Sequence, residues 1–272
     1  MPFDADDFRE YFAHAPAALA LRECVRLRAL RALSMPAPVL DVGCGDGLFA
    51  RLAFPDRVVW GVDVSAREVD RARRSTAYRT VVHGSICEVE LPDGYFRSAL
   101  ANCSLEHISD VEAALRTIAR ALVPGAPFVA IVPLPDWTHQ LAVHRLLSRA
   151  GLAAVARAYA AALDRTFAHV HMDDEFGWRR RLHAAGFDVE RVVGLVGADE
   201  GFAFDVLLPP SGMAWLTKRL TGRWVWMPAI RRRLAPWIGR SVQALVRHAP
   251  DGAAPEHGEL LIVARRVGSP PP

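Results

Sequence analysis

The chain lacks any uninterrupted apolar run approaching the ~20 residues that a membrane-spanning helix requires, so no spanning segment is expected. Cysteine is scarce. Cys24, Cys44, Cys87 and Cys103 make no C-x-x-C pair and no metal-ligand spacing, and reduced thiols in a cytosolic protein are the simplest reading. The N-terminus, Met1-Pro2-Phe3-Asp4-Ala5-Asp6-Asp7, is acidic and lacks the basic start and apolar run of a signal peptide. Lysine is also scarce, arginine far outnumbering it, and the formal net charge of +3 is too mild to imply a nucleic-acid partner by itself. Against these absences stand 272 residues that are 51% hydrophobic and 23% charged, enough to bury a full core as one large domain or one domain with insertions.

The chain is organised around Val39-Leu40-Asp41-Val42-Gly43-Cys44-Gly45-Asp46-Gly47-Leu48-Phe49-Ala50. An apolar run ends near an acid, three glycines follow at alternate positions, and an apolar segment resumes. This reads as strand, tight turn and helix start. Glycine lets the backbone turn sharply and lets a ligand sit against it, while the loop amides and the new helix N-terminus face that ligand. The dinucleotide fingerprint G-x-G-x-x-G needs glycine at position 48, where Leu48 stands. A carboxylate at Asp41 would repel a pyrophosphate but suits a ligand with a cationic amino group.

Strand-like and helix-like segments alternate from Pro38 onward. Strands are expected at 38–42, 57–62, 79–83, 96–101, 127–133, 187–196 and 259–265, with helices near 46–53, 65–75, 110–122 and 174–185. That alternation predicts an α/β fold with a mainly parallel sheet covered on both faces. Asp41, Asp63, His83 and Asn102 then fall at strand ends on one rim, where open α/β sheets bind ligands. Asp110 reads as the N-cap of the helix that follows it.

Asp41-Val42-Gly43-Cys44-Gly45-Asp46-Gly47 resembles the first motif of class I S-adenosylmethionine-dependent methyltransferases. Asp63, closing Val58-Val59-Trp60-Gly61-Val62-Asp63, matches the family's second acid, which holds the ribose hydroxyls. Asn102-Cys103-Ser104-Leu105-Glu106-His107 is similar to the post-strand loop of the small-molecule, methyltransferase type 11-like branch. Leu122-Val123-Pro124-Gly125-Ala126 resembles the turn before the fifth strand. The resemblance covers roughly residues 37–135, with a weaker echo near 174–196. It implies a Rossmann-like seven-stranded sheet of order 3-2-1-4-5-7-6, which two helical insertions interrupt in this chain, and S-adenosyl-L-methionine as cofactor. It places Asp41, Gly43, Cys44, Gly45, Gly47, Asp63 and Val64 around that cofactor. Ser85 and Ile86 fall at the adenine, with Ser85 where many relatives carry an acid, and Asn102 and Cys103 fall at the methionine end.

Around a single methyltransferase domain, the expected parts are N-terminal helices over 1–36, a cofactor core over 37–135 and an alanine-rich helical insertion over 136–173. The rest of the core follows over 174–208 and 256–267, around a second insertion at 209–250 and before a disordered tail at 268–272. Tyr11 is a candidate pocket wall or substrate hydrogen-bonding group, or else it docks its helix on the core. His107 is a candidate general base, since an imidazole titrates near neutrality, or else it braces its loop with Glu106. His169 and His171 lack a third partner at set spacing, so no metal is expected. The second insertion interleaves Trp215, Trp224, Trp226 and Trp237 with arginines, and short helices broken by Gly222, Pro228 and Pro236 are expected there. Its apolar residues pack on the core as a lid over the acceptor, lie on a membrane surface as a basic amphipathic segment, or form a dimer contact. The acceptor is expected to be a small, hydrophobic or lipid-linked molecule. A nucleic-acid methyltransferase and a non-catalytic cofactor-binding protein are the alternatives, with nucleic acid not expected as a partner.

Overall fold

The computed structural model of the chain describes residues 3–55, 59–167, 169–222, 224–247 and 257–268. The strands, in chain order, are β1 (Val39–Val42), β2 (Val59–Asp63), β3 (Thr80–His83), β4 (Ser98–Asn102), β5 (Pro127–Pro133), β6 (Phe187–Leu195) and β7 (Glu259–Arg266). The helices are α1 (Ala5–His14), α2 (Ala17–Arg31), α3 (Leu48–Ala53), α4 (Ala66–Arg74), α5 (Val111–Ala121), α6 (Ala142–Arg149), α7 (Ala153–Phe167), α8 (Glu175–Ala184), α9 (Ala198–Thr221) and α10 (Pro228–Arg247). They divide into two compact units. An α/β unit comprises Arg31–Pro135, Ala168–Val193 and Glu259–Pro272, and a helical unit comprises Met1–Leu30, Asp136–Phe167 and Gly194–Gly258.

The seven strands form one sheet in the order β3-β2-β1-β4-β5-β7-β6. β1 pairs in parallel with β2 and β4, β2 with β3, and β4 with β5, while β7 runs antiparallel to β5. The parallel register brings Asp63 opposite His83 and Asn102 opposite Ile131. The C-terminal ends of β1 to β4 therefore share one edge, as the alternation implied. Observed boundaries lie within two residues of the expected ones. Three of the four shifts at helix starts have a common cause, because the residue expected to open the helix caps it instead. Ser65 accepts from Glu68 N, Asp110 from Ala113 N and Asp174 from Gly177 N, each supplying an amide with the acceptor that the first helical turn lacks. Residues 57 and 58 of the expected second strand, 248–256, and 269–272 of the expected tail lie outside the described residues.

The core of the α/β unit is built on Phe96, Phe128, Trp178 and Phe187, all fully buried. Phe128 of β5 and Phe187 of β6 meet at a ring-centroid distance of 5.2 Å.

Within the helical unit α1 lies against α10. A Cβ at Gly239 would sit 3.2 Å from the Phe8 ring, so the missing side chain lets the two helices approach. The Arg231 guanidinium lies 3.9 Å from the Phe12 ring centroid and donates to Phe12 O at 2.7 Å and Ala15 O at 2.8 Å, closing the carboxyl end of α1. Buried Asp205 of α9 accepts from Tyr159 Oη at 2.7 Å and from Val143 N at 2.6 Å, tying α9 to α7 and α6.

The helical unit departs from expectation in three ways. α9 begins at Ala198, well before residue 209, and continues through Pro209 and Pro210. Gly222 ends it in the left-handed conformation and Pro228 opens α10, as expected, but Pro236 breaks nothing. Its ring sits on the exposed side, while Ala235, Gly239, Val242 and Val246 bury the opposite face and hold both halves of the helix in line. Finally, Leu220, Trp226, Ile230, Leu234 and Trp237, expected to pack on the core, are exposed. The face of α10 that packs carries small residues, so the large apolar ones fall elsewhere.

Phe128→Ala should lower the free energy of unfolding by about 3–5 kcal/mol, the cost typical of deleting a fully buried aromatic ring. Urea denaturation followed by circular dichroism measures it.

Candidate cofactor site and active site

The loop after β1 is shaped by three left-handed glycines, Gly43, Gly45 and Gly47, with φ of 72°, 54° and 83°. The amides of Gly43 and Cys44 both donate to Val62 O, at 2.8 and 3.1 Å, which ties the loop to β2. Their surroundings distinguish the glycines. A Cβ at Gly43 would lie 2.4 Å from Ser104 Cβ, and one at Gly47 would lie 2.7 Å from the Tyr78 ring. A Cβ at Gly45 would meet nothing within 4 Å. Gly43 and Gly47 are thus required by packing, while Gly45 faces open space in which a ligand fits.

Asp63 closes β2 and clamps the loop. Its Oδ2 accepts from Gly45 N at 2.9 Å and its Oδ1 from Ser65 N at 2.8 Å. A carboxylate has about four lone-pair sites, so two amides still leave it able to accept ribose hydroxyls. Asp41, in β1 beneath the loop, is 3% exposed and accepts from Tyr78 Oη at 2.7 Å. Burial pushes its carboxyl up to about 7; the Tyr78 hydrogen bond opposes that rise and the Asp63 charge adds to it. Because the folded-state value lies above the ordinary one, the stability contributed by protonated Asp41 is full below about pH 4 and is lost as pH rises through about 7. A cation beside Asp41 reverses that balance by favouring the carboxylate. Burial, with the Asp41 and Asp63 charges beside it, also pushes the Cys44 thiol well up, which keeps it protonated in the wall of the loop.

The remaining candidates spread along the rim. Val64 is 70% exposed and its carbonyl lies 3.2 Å from His83 Nε2. Ser85 Oγ accepts from Cys87 N at 3.2 Å, opening a turn in which Ile86 is buried. Asn102 ends β4, and Cys103 beside it takes a left-handed φ of 48° while donating its amide to Ile131 O at 2.8 Å. Tyr11 is buried in α1 of the helical unit.

Beyond β4, residues Leu105–His107 form a single 3-10 turn. Glu106 is 1% exposed, with Oε1 3.9 Å from Nε2 of the partly exposed His107. The segment after α7 returns to this turn, where Val170 N and His171 N both donate to Glu106 O, at 2.8 and 3.0 Å. That places the His169 ring against His107, centroids 5.6 Å apart and planes inclined by 27°. His171 points elsewhere, its Nε2 lying 3.2 Å from Ser109 O, so the two histidines do not act as a pair. Among the described residues, the ligand atoms of Glu106, His107 and His169 all lie within 4.8 Å of one another. The group brings one buried carboxylate together with two imidazoles.

Three contributors were not among the expected site residues. Tyr78 belongs to no motif, lying between α4 and β3, yet it holds both Asp41 and the Cys44 carbonyl. Ser104 lies in the loop after β4, and its Oγ donates to Val42 O at 2.6 Å against Gly43. His169 is 62 residues from His107, and only the backbone pairing with Glu106 brings them together.

Gly43→Ala and Gly47→Ala should each lower the melting temperature by several degrees, since each adds a clash to left-handed strain of roughly 1–2 kcal/mol. Gly45→Ala should suffer the strain alone, yet lose S-adenosylmethionine binding by tenfold or more. Thermal melts paired with calorimetric titration separate the two behaviours.

Comparison with known proteins agrees with this geometry. A family model described as a methyltransferase domain matches residues 11–192, more than half of the chain. An uncharacterized methyltransferase of Mycobacterium tuberculosis is 38% identical over 96 residues, 34% of this chain and 49% of that protein. A sterol 24-C-methyltransferase of Aspergillus fumigatus is 33% identical over 98 residues, 33% of this chain and 26% of that one. The chain thus spans about half the length, or less, of these curated relatives. Among solved structures, an S-adenosylmethionine-dependent methyltransferase of Thermotoga maritima has a TM-score of 0.55 at 17% identity, covering 94% of this chain and 92% of that one, a likeness of fold. With the glycine loop, the acid closing β2 and the 3-2-1-4-5-7-6 sheet already in place, the family match settles the assignment: this chain belongs to the class I S-adenosylmethionine-dependent methyltransferases.

Proposed function

We propose that the chain methylates an oxygen or nitrogen nucleophile on a small, hydrophobic or lipid-linked acceptor, with His107 as the general base. The observation that carries this reading is the side-chain group beyond β4, where a partly exposed imidazole stands beside a buried carboxylate and against a second imidazole. When bound, S-adenosylmethionine supplies an electrophilic methyl group on a sulfonium whose leaving group is neutral. The residues around it then have mainly to position and to remove a proton. Asp63, oriented by the amide of Gly45, holds the ribose side, and the Asp41 carboxylate balances the cofactor's cationic charge. Asn102 and Cys103, at the end of β4, line the methionine side. His107 takes the proton that a hydroxyl or ammonium acceptor must lose. The Glu106 carboxylate, 3.9 Å away, stabilises the imidazolium so formed. His169 restricts the His107 ring by stacking on it. The apolar character of the acceptor is supported by the relative that carries the name of a sterol methyltransferase.

His107→Ala should lower turnover by roughly a hundredfold or more and leave cofactor affinity unchanged. The assay supplies labelled S-adenosylmethionine to extract fractions separated by polarity, with label expected in the lipid-soluble fraction. Label confined to nucleic acid, or full turnover by the variant, would overturn the reading.

A further inference from the structure

We propose that the corner between α9 and α10, with the first half of α10, is a docking surface for an anionic lipid membrane. The inference stands apart from the identity of the acceptor, because it rests on exposed residues of the helical unit and not on the chemistry of the rim.

Six large apolar side chains stand out from this corner: Leu220, Trp226, Met227, Ile230, Leu234 and Trp237, between 49% and 75% exposed. Met227, Ile230, Leu234 and Trp237 follow one another at intervals of three, four and three residues. At about 100° per residue, the three that lie within α10, Ile230, Leu234 and Trp237, fall within roughly 60° of each other around the helix axis, and Met227 extends this stripe from the bend ahead of the helix. The stripe is not the packing face, since Ala235, Gly239, Val242 and Val246 are buried on another side of the helix. Met227 holds a left-handed φ of 53°, uncommon for a residue with a side chain, at the bend that leaves Trp226 and Met227 exposed ahead of α10. An apolar stripe on this scale marks an interaction surface.

Charge decides the occupant. α10 carries five arginines and no acid. Arg231 and Arg232 turn toward α1, where they meet Phe12 O, Ala15 O and the Glu10 carboxylate. Arg233, Arg240 and Arg247 are exposed and recur every seven residues, making a second row roughly 60° round from the stripe. Arg240 lies 4.4 Å from the Trp237 ring centroid. A row of arginine beside a row of tryptophan and aliphatic side chains is the composition of a helix lying in a lipid interface: apolar groups enter the acyl boundary and guanidinium groups meet phosphates. Symmetric pairing with a second copy would bring two such arginine rows together with no acid on α10 to offset them. Among the described residues, no helix is long and apolar enough to cross a membrane, so the contact is along the surface.

The test is sedimentation of the full chain with vesicles of phosphatidylcholine alone, and of phosphatidylcholine containing phosphatidylglycerol. We expect binding to the anionic vesicles at low salt, much weaker binding to neutral ones, and release as salt rises. Lipids brominated in the acyl chain should quench the tryptophan fluorescence of the bound protein. The double variant Trp226→Ser with Trp237→Ser should lower partitioning by about tenfold or more, and so should Arg233→Glu with Arg240→Glu. All four changes are at exposed positions, so melting temperature and S-adenosylmethionine affinity should stay unchanged and show that the variants are folded. Failure to pellet with anionic vesicles would overturn the proposal. So would unchanged partitioning of the tryptophan variant, or a stable dimer that those same tryptophan changes dissociate.

Discussion

The structure around the glycine loop depends on a buried carboxylate. Asp41 lies in the central strand of the parallel half of the sheet and takes its hydrogen bond from Tyr78, whose hydroxyl is also 3.3 Å from Cys44 O. One side chain thus fixes the acid and the loop above it. Gly43 is held from the other side by Ser104, and Gly45 N is drawn onto Asp63. What these contacts leave is a loop whose middle glycine faces open space with two carboxylates close by. Two buried or half-buried acids near one another are unfavourable without a cation, and burial raises the Asp41 carboxyl accordingly. A cationic cofactor relieves that cost, which is a physical reason for an acid where a dinucleotide site would have none.

Much of this was legible in the residues. The apolar run, the alternate glycines and the acid closing the next strand fixed the rim, because local spacing alone decides where a strand turns and a helix starts. Asp110 announced its helix through capping chemistry. The roles of Tyr78, Ser104 and His169 were not legible, since each acts on a partner 37 to 62 residues away or through a carbonyl that no side-chain pattern reports. Tyr78 is 37 residues from Asp41, and Ser104 is 62 from the Val42 carbonyl. Pro236 misled for the opposite reason. A local rule marked it as a helix breaker, and packing of α10 on α1 overrode the rule.

Arginine takes on different work at each place in the helical unit. Arg22 lies between Trp137 and Phe204, 5.1 Å from each ring centroid. Arg231 closes α1 from the facing helix. A planar, permanently charged guanidinium can stack on a ring while donating to carbonyls, which an ammonium does poorly. Arg233, Arg240 and Arg247, exposed on α10, form a separate set.

The most direct measurement of the central claim is the affinity for S-adenosylmethionine as a function of pH, by calorimetry between about pH 5.5 and 8.5. If Asp41 must be ionised to balance the cofactor's charge, its raised carboxyl makes binding release a proton below about 7. Affinity should then strengthen by up to about tenfold per pH unit and level off above 7, whereas Asp41→Asn should bind more weakly at pH 8 and show no such rise. An affinity independent of pH in the unaltered chain, or a rise that survives in Asp41→Asn, would contradict the account.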